Sequence, residues 1–137
     1  MKKPTNLITK EEATELSKRF AKRNKLISRS IGKPCNCSTW YSLEELEEYI
    51  AYIKAESTAK GYNIDGIRFY MGSYSKSNSS KEKQKQTTIF LAPTGDKVAQ
   101  EKTIAMAAPT SSPDIEEIEP FNRGNDGWPP NGVYPNN

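Results

Sequence analysis

The chain has 137 residues, 34% of them hydrophobic, with 20 Lys+Arg against 17 Asp+Glu, two cysteines and no histidine. This is the length of one domain. Two cysteines exclude a disulfide scaffold, and the missing histidine excludes Ser-His-Asp and Cys-His nucleophile pairs, HExxH metal sites and histidine acid–base chemistry.

The net charge of +3 hides a polarity along the chain. Residues 1–34 carry +7, 35–61 carry −3, 62–108 carry +3 and 109–137 carry −4. Such asymmetry fits intramolecular docking or an anionic partner. The N-terminal stretch MKKPTNLITKEEA lacks the apolar run of a signal peptide, and no segment reaches the length of a membrane span. The expected setting is therefore soluble and cytoplasmic, without membrane contact. Sequons at Asn36 and Asn78 would carry meaning only in a secretory context.

Thr9 and Glu12 form a T-x-x-E capping box that opens a first helix, expected from about Lys10 to about Asn24. Ala13, Leu16 and Phe20 share one face at helical spacing. Early glutamates and late Lys18, Arg19, Lys22 and Arg23 follow the helix dipole. Leu26 and Ile27 leave the end of this helix open, and Gly32 and Pro34 terminate regular structure.

Cys35-Asn36-Cys37 follows. Two thiols one residue apart suit a soft metal or a strained disulfide, but a closed zinc site needs four N/S ligands, so the favoured reading is two cysteines in a loop. Ser42 and Glu45 form a second capping box, with Tyr41 and Leu46 as a hydrophobic staple. The second helix is expected over about Leu43 to Lys60, with a stripe of Leu43, Leu46, Ile50 and Ile53, and Gly61 as its C′ residue. Its acidic run Glu44, Glu45, Glu47 and Glu48 reads as a solvated face.

Asp65-Gly66 reads as a turn before the strand Ile67–Met71, in which Ile67, Phe69 and Met71 face one way and Arg68 and Tyr70 the other. Ser75 to Gln86 is polar, with four lysines, and is expected to be a mobile connector. Thr88–Ala92 is a second strand, antiparallel to the first, which Pro93 ends before a turn at Thr94–Lys97. Thr103–Ala108 is a borderline third strand. From Pro109 onward the composition is that of a tail unable to order itself alone, yet Phe121, Trp128 and Tyr134 recur in it, which suggests docking.

The stretch SLEELEEYIAYIKAESTAKGYNIDGIRFYMG, followed by TTIFLAPT, resembles a set of small uncharacterised bacterial proteins with the same helix–strand–strand order, over roughly residues 8–93. The resemblance implies a bacterial, intracellular origin and brings no activity or site residue with it.

The expected architecture is α+β, with two helices packed on one face of a small antiparallel sheet over residues 1–108, and a disordered or docked tail over 109–137. The expected function is a non-enzymatic protein-interaction or accessory module, with a protein partner or self-association and no cofactor or metal. Its candidate binding residues are Arg68 and Tyr70, on a sheet face that is either open or packed by Ile89, Leu91 or the returning tail, together with Trp128. The alternative is nucleic-acid or polyanion binding through Lys18, Arg19, Lys22, Arg23, Lys25 and Arg29 and the lysine-rich loop. A Cys- or carboxylate-based enzyme ranks third.

Overall fold

The computed structural model describes residues 1–98, 112–122, 125–126 and 132–135. The elements in chain order are α1 (Lys10–Ile31), β1 (Thr39–Trp40), α2 (Leu43–Lys60), β2 (Tyr62–Ser73), β3 (Thr87–Lys97) and β4 (Asn125–Asp126). β2 and β3 form a two-stranded antiparallel sheet, and β1 pairs with β4. The fold is α+β. Trp128 and the borderline strand Thr103–Ala108 lie outside the described residues. Among the described residues, no helix is long and apolar enough to cross a membrane.

The chain groups into two compact units. The first comprises Met1–Trp40, Ser73–Thr88 and Asp126–Asn137. In it, α1 starts at the expected capping box, with the Thr9 hydroxyl accepting from the Glu12 N–H and the Glu12 carboxylate accepting from the Thr9 N–H. It runs seven residues past Asn24, because nothing breaks it before Gly32, whose φ of 76° closes the helix in the left-handed region.

The expected stripe is displaced: Leu16 is 57% exposed, and the residue α1 buries is Asn24. At 100° per residue, Ala13, Phe20, Ile27 and Ile31 cluster around Asn24, whereas Leu16 and Leu26 sit at or beyond the margin. The polar connector is also anchored rather than merely a spacer. Gln86 is buried, accepting from the Asn36 N–H at 2.8 Å and donating to the Pro34 carbonyl at 2.8 Å.

The second unit comprises Tyr41–Gly72 and Ile89–Asn125. α2 has the expected bounds, its Ser42/Glu45 box and Gly61 at φ 77°. Its buried residues, however, are Tyr49, Ile53 and Ser57, four apart, while Leu43 and Ile50 are exposed. Tyr41 and Leu46 both pack on the core, as a staple should.

Both long strands exceed their expected limits. Asp65-Gly66 lies inside β2 rather than in a turn. Pro93 does not end β3: it is buried within the strand, where its carbonyl accepts from the Ile115 N–H at 2.9 Å. The strand continues through Gly95, where a Cβ would stand 2.2 Å from the Asn63 carbonyl oxygen. Only glycine permits that approach.

Residues 112–122 return along β3 as a strap. Leu91 and Phe121 exchange two backbone hydrogen bonds at 2.8 Å, and the Gly95 N–H donates to the Pro113 carbonyl at 3.0 Å. The strap inserts Ile115 and Ile118 beside Tyr49, Ile53 and Leu91 to complete the hydrophobic core.

Candidate functional site

Alternation along β2 places Arg68 and Tyr70 on one face, where Asp114 and Ser112 of the strap reach them. Arg68 Nη1 lies 2.5 Å from Asp114 Oδ1, and Nη2 donates to the Ser112 carbonyl at 2.6 Å. The Tyr70 hydroxyl donates to Asp114 Oδ2, and its ring stacks on Phe90 with centroids 5.2 Å apart. The Tyr70 side chain first, and then Asp114, hold the Arg68 guanidinium above its ordinary pKa.

Nearby, Asp65 accepts from the Thr94 hydroxyl at 2.6 Å and from the Ser112 hydroxyl. These bonds, that of Ser112 foremost, depress its carboxyl below the usual range. This constellation is a clamp on the strap. The Asp65 carboxylate is held ionised by structural partners rather than set apart for acid–base work.

The opposite face of β2 is covered only in part, since Ile67 packs against the core there. Phe69 and Met71, expected toward the core, are 61% and 77% exposed. From β2 the core takes Tyr62, Ile64 and Ile67 instead. An apolar groove of 360 Å³ in this unit is lined by Ile50, Ile53, Ile64 and Ile67, with Lys54 and Asp65 among its walls.

The first unit holds a different arrangement. Its segments carry fourteen Lys/Arg against five Asp/Glu, a net +9, whereas the second unit carries six against twelve, a net −6. Lys18, Lys22, Lys25 and Arg29 recur at i, i+4, i+7 and i+11, which places them within roughly 60° of one another on α1. All four are exposed. The lysine-rich loop belongs to the same unit: the Lys33 ammonium donates to the Lys81 carbonyl at 3.0 Å, and Lys83 stands 5.6 Å over the Tyr74 ring.

Beside the basic stripe is a cleft of 280 Å³ lined by Ala21, Asn24, Lys25, Ser28 and Cys37. Asn24 Nδ2 donates to the Cys35 carbonyl at 2.7 Å and to Cys37 Sγ at 3.1 Å, while its buried Oδ1 has no hydrogen-bond donor among the described residues. The Cys35 N–H donates to the Ser28 hydroxyl at 2.9 Å, and Cys35 Sγ sits 3.0 Å from Thr87 Oγ1. Both cysteines are free thiols. Burial, with Cys35 adding to it, pushes the Cys37 thiol above its ordinary pKa, which is the reverse of what an activated nucleophile needs. Among the described residues, no group of three metal-ligating side chains converges.

Of the tail aromatics, Phe121 stacks on Tyr49 at 4.8 Å and meets Tyr41 at 5.5 Å. Tyr134 remains 45% exposed while its N–H donates to the Ser17 hydroxyl on α1 at 2.9 Å. Sequence reasoning missed Asn24 and Asp114. A polar residue at the centre of an otherwise apolar helical face would have pointed to the first, and nothing local to the second. No family model, curated protein or solved structure matches the chain.

Proposed function

We propose that the protein is a non-enzymatic accessory module whose first unit binds a polyanion. The observation that carries this reading is the stripe Lys18, Lys22, Lys25 and Arg29, exposed on one line of α1 in a unit of net +9. Four cations in line over about 16 Å, at 1.5 Å rise per residue, match an extended row of anionic groups better than a single point charge. Early Glu11, Glu12 and Glu15 confine the basic surface to the C-terminal two-thirds of the helix. Free thiols fit a reducing, cytoplasmic setting, in keeping with a bacterial intracellular protein.

The test is titration of a fluorescent polyanion, such as labelled heparin, across ionic strength. Binding should weaken linearly in log–log form with salt, and replacing all four stripe residues by Ala should reduce the slope by about three to four. No binding at low salt by the native chain would end the reading.

A second reading, protein interaction or self-association, is favoured by Phe69 and Met71 standing exposed on β2. Phe69→Ser/Met71→Ser variants that leave every co-purifying partner and the oligomeric state unchanged would count against it.

A further inference from the structure

We infer that the polyanion is single-stranded nucleic acid, bound with its backbone along the α1 stripe and one base in the cleft beside Lys25. The inference rests on the polyanion reading and sharpens it, because three features of the first unit go beyond what charge alone requires.

The first is the cleft itself. Lys25 belongs both to the basic stripe and to the cleft wall, so a phosphate held on the stripe lies next to a concavity of 280 Å³. Its remaining walls are polar or small, with Ala21, Asn24, Ser28 and Cys37. The accessible lining is mostly apolar with a smaller polar part, which suits a planar heterocycle with apolar faces and a polar edge.

The second is Asn24. Its side chain is fixed in orientation, since Nδ2 is committed to Cys35 and Cys37, and so Oδ1 must remain the acceptor. That oxygen is buried without a donor among the described residues, in a residue 1% exposed. A buried acceptor left unmet is uncommon and calls for a donor. The N–H groups of a base edge are donors that a sugar-phosphate chain alone does not offer.

The third is exposed aromatic surface in the same unit. Tyr134 is anchored through its backbone to Ser17, one helical turn before Ala21 of the cleft wall, and Trp40, 59% exposed, follows Cys37 by three residues. Single-strand binders combine a basic track with such rings because every base presents a π-face, and stacking is worth about tenfold or more per base. A duplex hides these faces, so a single strand is the form that uses all three features.

The test is fluorescence anisotropy of the full chain with a labelled twelve-nucleotide single strand, an abasic oligomer of equal length, the matching duplex, inorganic polyphosphate and phosphatidylserine vesicles, all at one salt concentration. The expected result is binding of the single strand about tenfold or more tighter than of the abasic oligomer, with Trp fluorescence quenched only by the former. Tyr134→Ala, which keeps the backbone bond to Ser17, should remove most of that difference and leave the abasic affinity and salt slope unchanged. Ala21→Leu, which fills the cleft, should do the same.

Equal binding of base-bearing and abasic oligomers, or a difference that survives both substitutions, overturns the inference while leaving the polyanion reading intact. Preference for vesicles or duplex over the single strand also overturns it. Failure of every probe at low salt removes both.

Discussion

The Arg68 guanidinium meets the Asp114 carboxylate at 2.5 Å across 46 residues of sequence. That contact ties the returning strap to β2, and Tyr70 reinforces it on the second carboxylate oxygen. An open binding face with arginine and tyrosine would present the same two residues to solvent, so the strap decides their role. Both charged side chains remain about one-third exposed, which limits the value of the pair through solvent screening. Asp114→Ala removes two charge-assisted hydrogen bonds at once, with an expected loss of about 1–2 kcal/mol. Urea unfolding followed by circular dichroism measures this, and an unchanged midpoint would show that the Asp114 contacts add nothing to the strap's backbone bonds and apolar packing.

Those two isoleucines give the larger expected effect. Ile118 is 1% exposed in the core with Tyr49, Ile53 and Leu91. Ile118→Ala should cost about 2–4 kcal/mol, the transfer loss plus the cavity it leaves. Truncation after Ala108, which removes both isoleucines and Phe121, should make the chain aggregate or lose its cooperative melt. A truncated protein with native gel-filtration and melting behaviour would contradict the strap's part in the core.

The capping boxes, the Tyr41–Leu46 staple, Gly61 and the two long strands were legible because each is written in residues within a few positions of one another. The faces of the helices were less so. On α2 the aliphatic stripe suggested Leu43 and Ile50, but Tyr49 and Ser57 fill the buried line because their polar groups find partners: the Tyr49 hydroxyl reaches the Glu119 carbonyl at 3.0 Å and the Ser57 hydroxyl the Lys54 carbonyl at 2.9 Å. On α1 the burial of Asn24 depends on carbonyl and thiol partners eleven and thirteen residues away. Arg68 and Tyr70 were visible as a pair, and packing by the returning tail was among the readings open for them. Asp114 itself could not be picked out, because a salt bridge over 46 residues leaves no local periodicity. The basic stripe was visible as composition, while its cleft exists only through the fold of Cys37 against α1.

Asp65 should give the protein a sensitivity to acid. Its folded pKa lies below the ordinary 3.8, chiefly because the Ser112 and Thr94 hydroxyls bond its ionised form. A depressed carboxylate contributes stability that is fully present above the unfolded pKa and is lost as pH falls through the folded one. The urea midpoint should therefore hold above about pH 5 and decline below pH 4. Asp65→Asn should show a shallower decline over that window. Parallel profiles for the two proteins would show that other carboxylates govern the acid limb.

Two glycines in the sheet make opposite predictions. A Cβ at Gly95 would fall 2.2 Å from the Asn63 carbonyl oxygen, a backbone atom that cannot move without breaking the strand pair. At Gly66 the nearest atom is the Thr94 hydroxyl at 3.2 Å, part of a side chain that can yield by a few tenths of an ångström. Gly95→Ala should cost about 3 kcal/mol or leave the protein insoluble, while Gly66→Ala should cost about 1 kcal/mol or less. Equal losses at the two sites, read from thermal melts, would refute the close approach at Gly95.

The thiols provide a probe of the first unit that needs no ligand. Cys35 is fully buried with its sulfur against Thr87, and Cys37 is partly buried with a pKa pushed above 9.0 by burial first and Cys35 second. A raised thiol pKa means the neutral form is favoured on folding, so this contribution to stability is complete below pH 9 and is lost as pH rises through the folded value. In the native protein at pH 7, a thiol-specific chromogenic reagent should react more slowly with both than with free cysteine, and Cys37 should react before Cys35. Asn24→Ala removes the amide that bonds Cys37 Sγ and leaves the buried Cys35 carbonyl without that donor, with an expected loss of about 1–3 kcal/mol. The same variant should speed modification of Cys37 by opening its surroundings. A variant that melts with the native protein and keeps its slow thiol kinetics would show that Asn24 does not hold the loop to the helix.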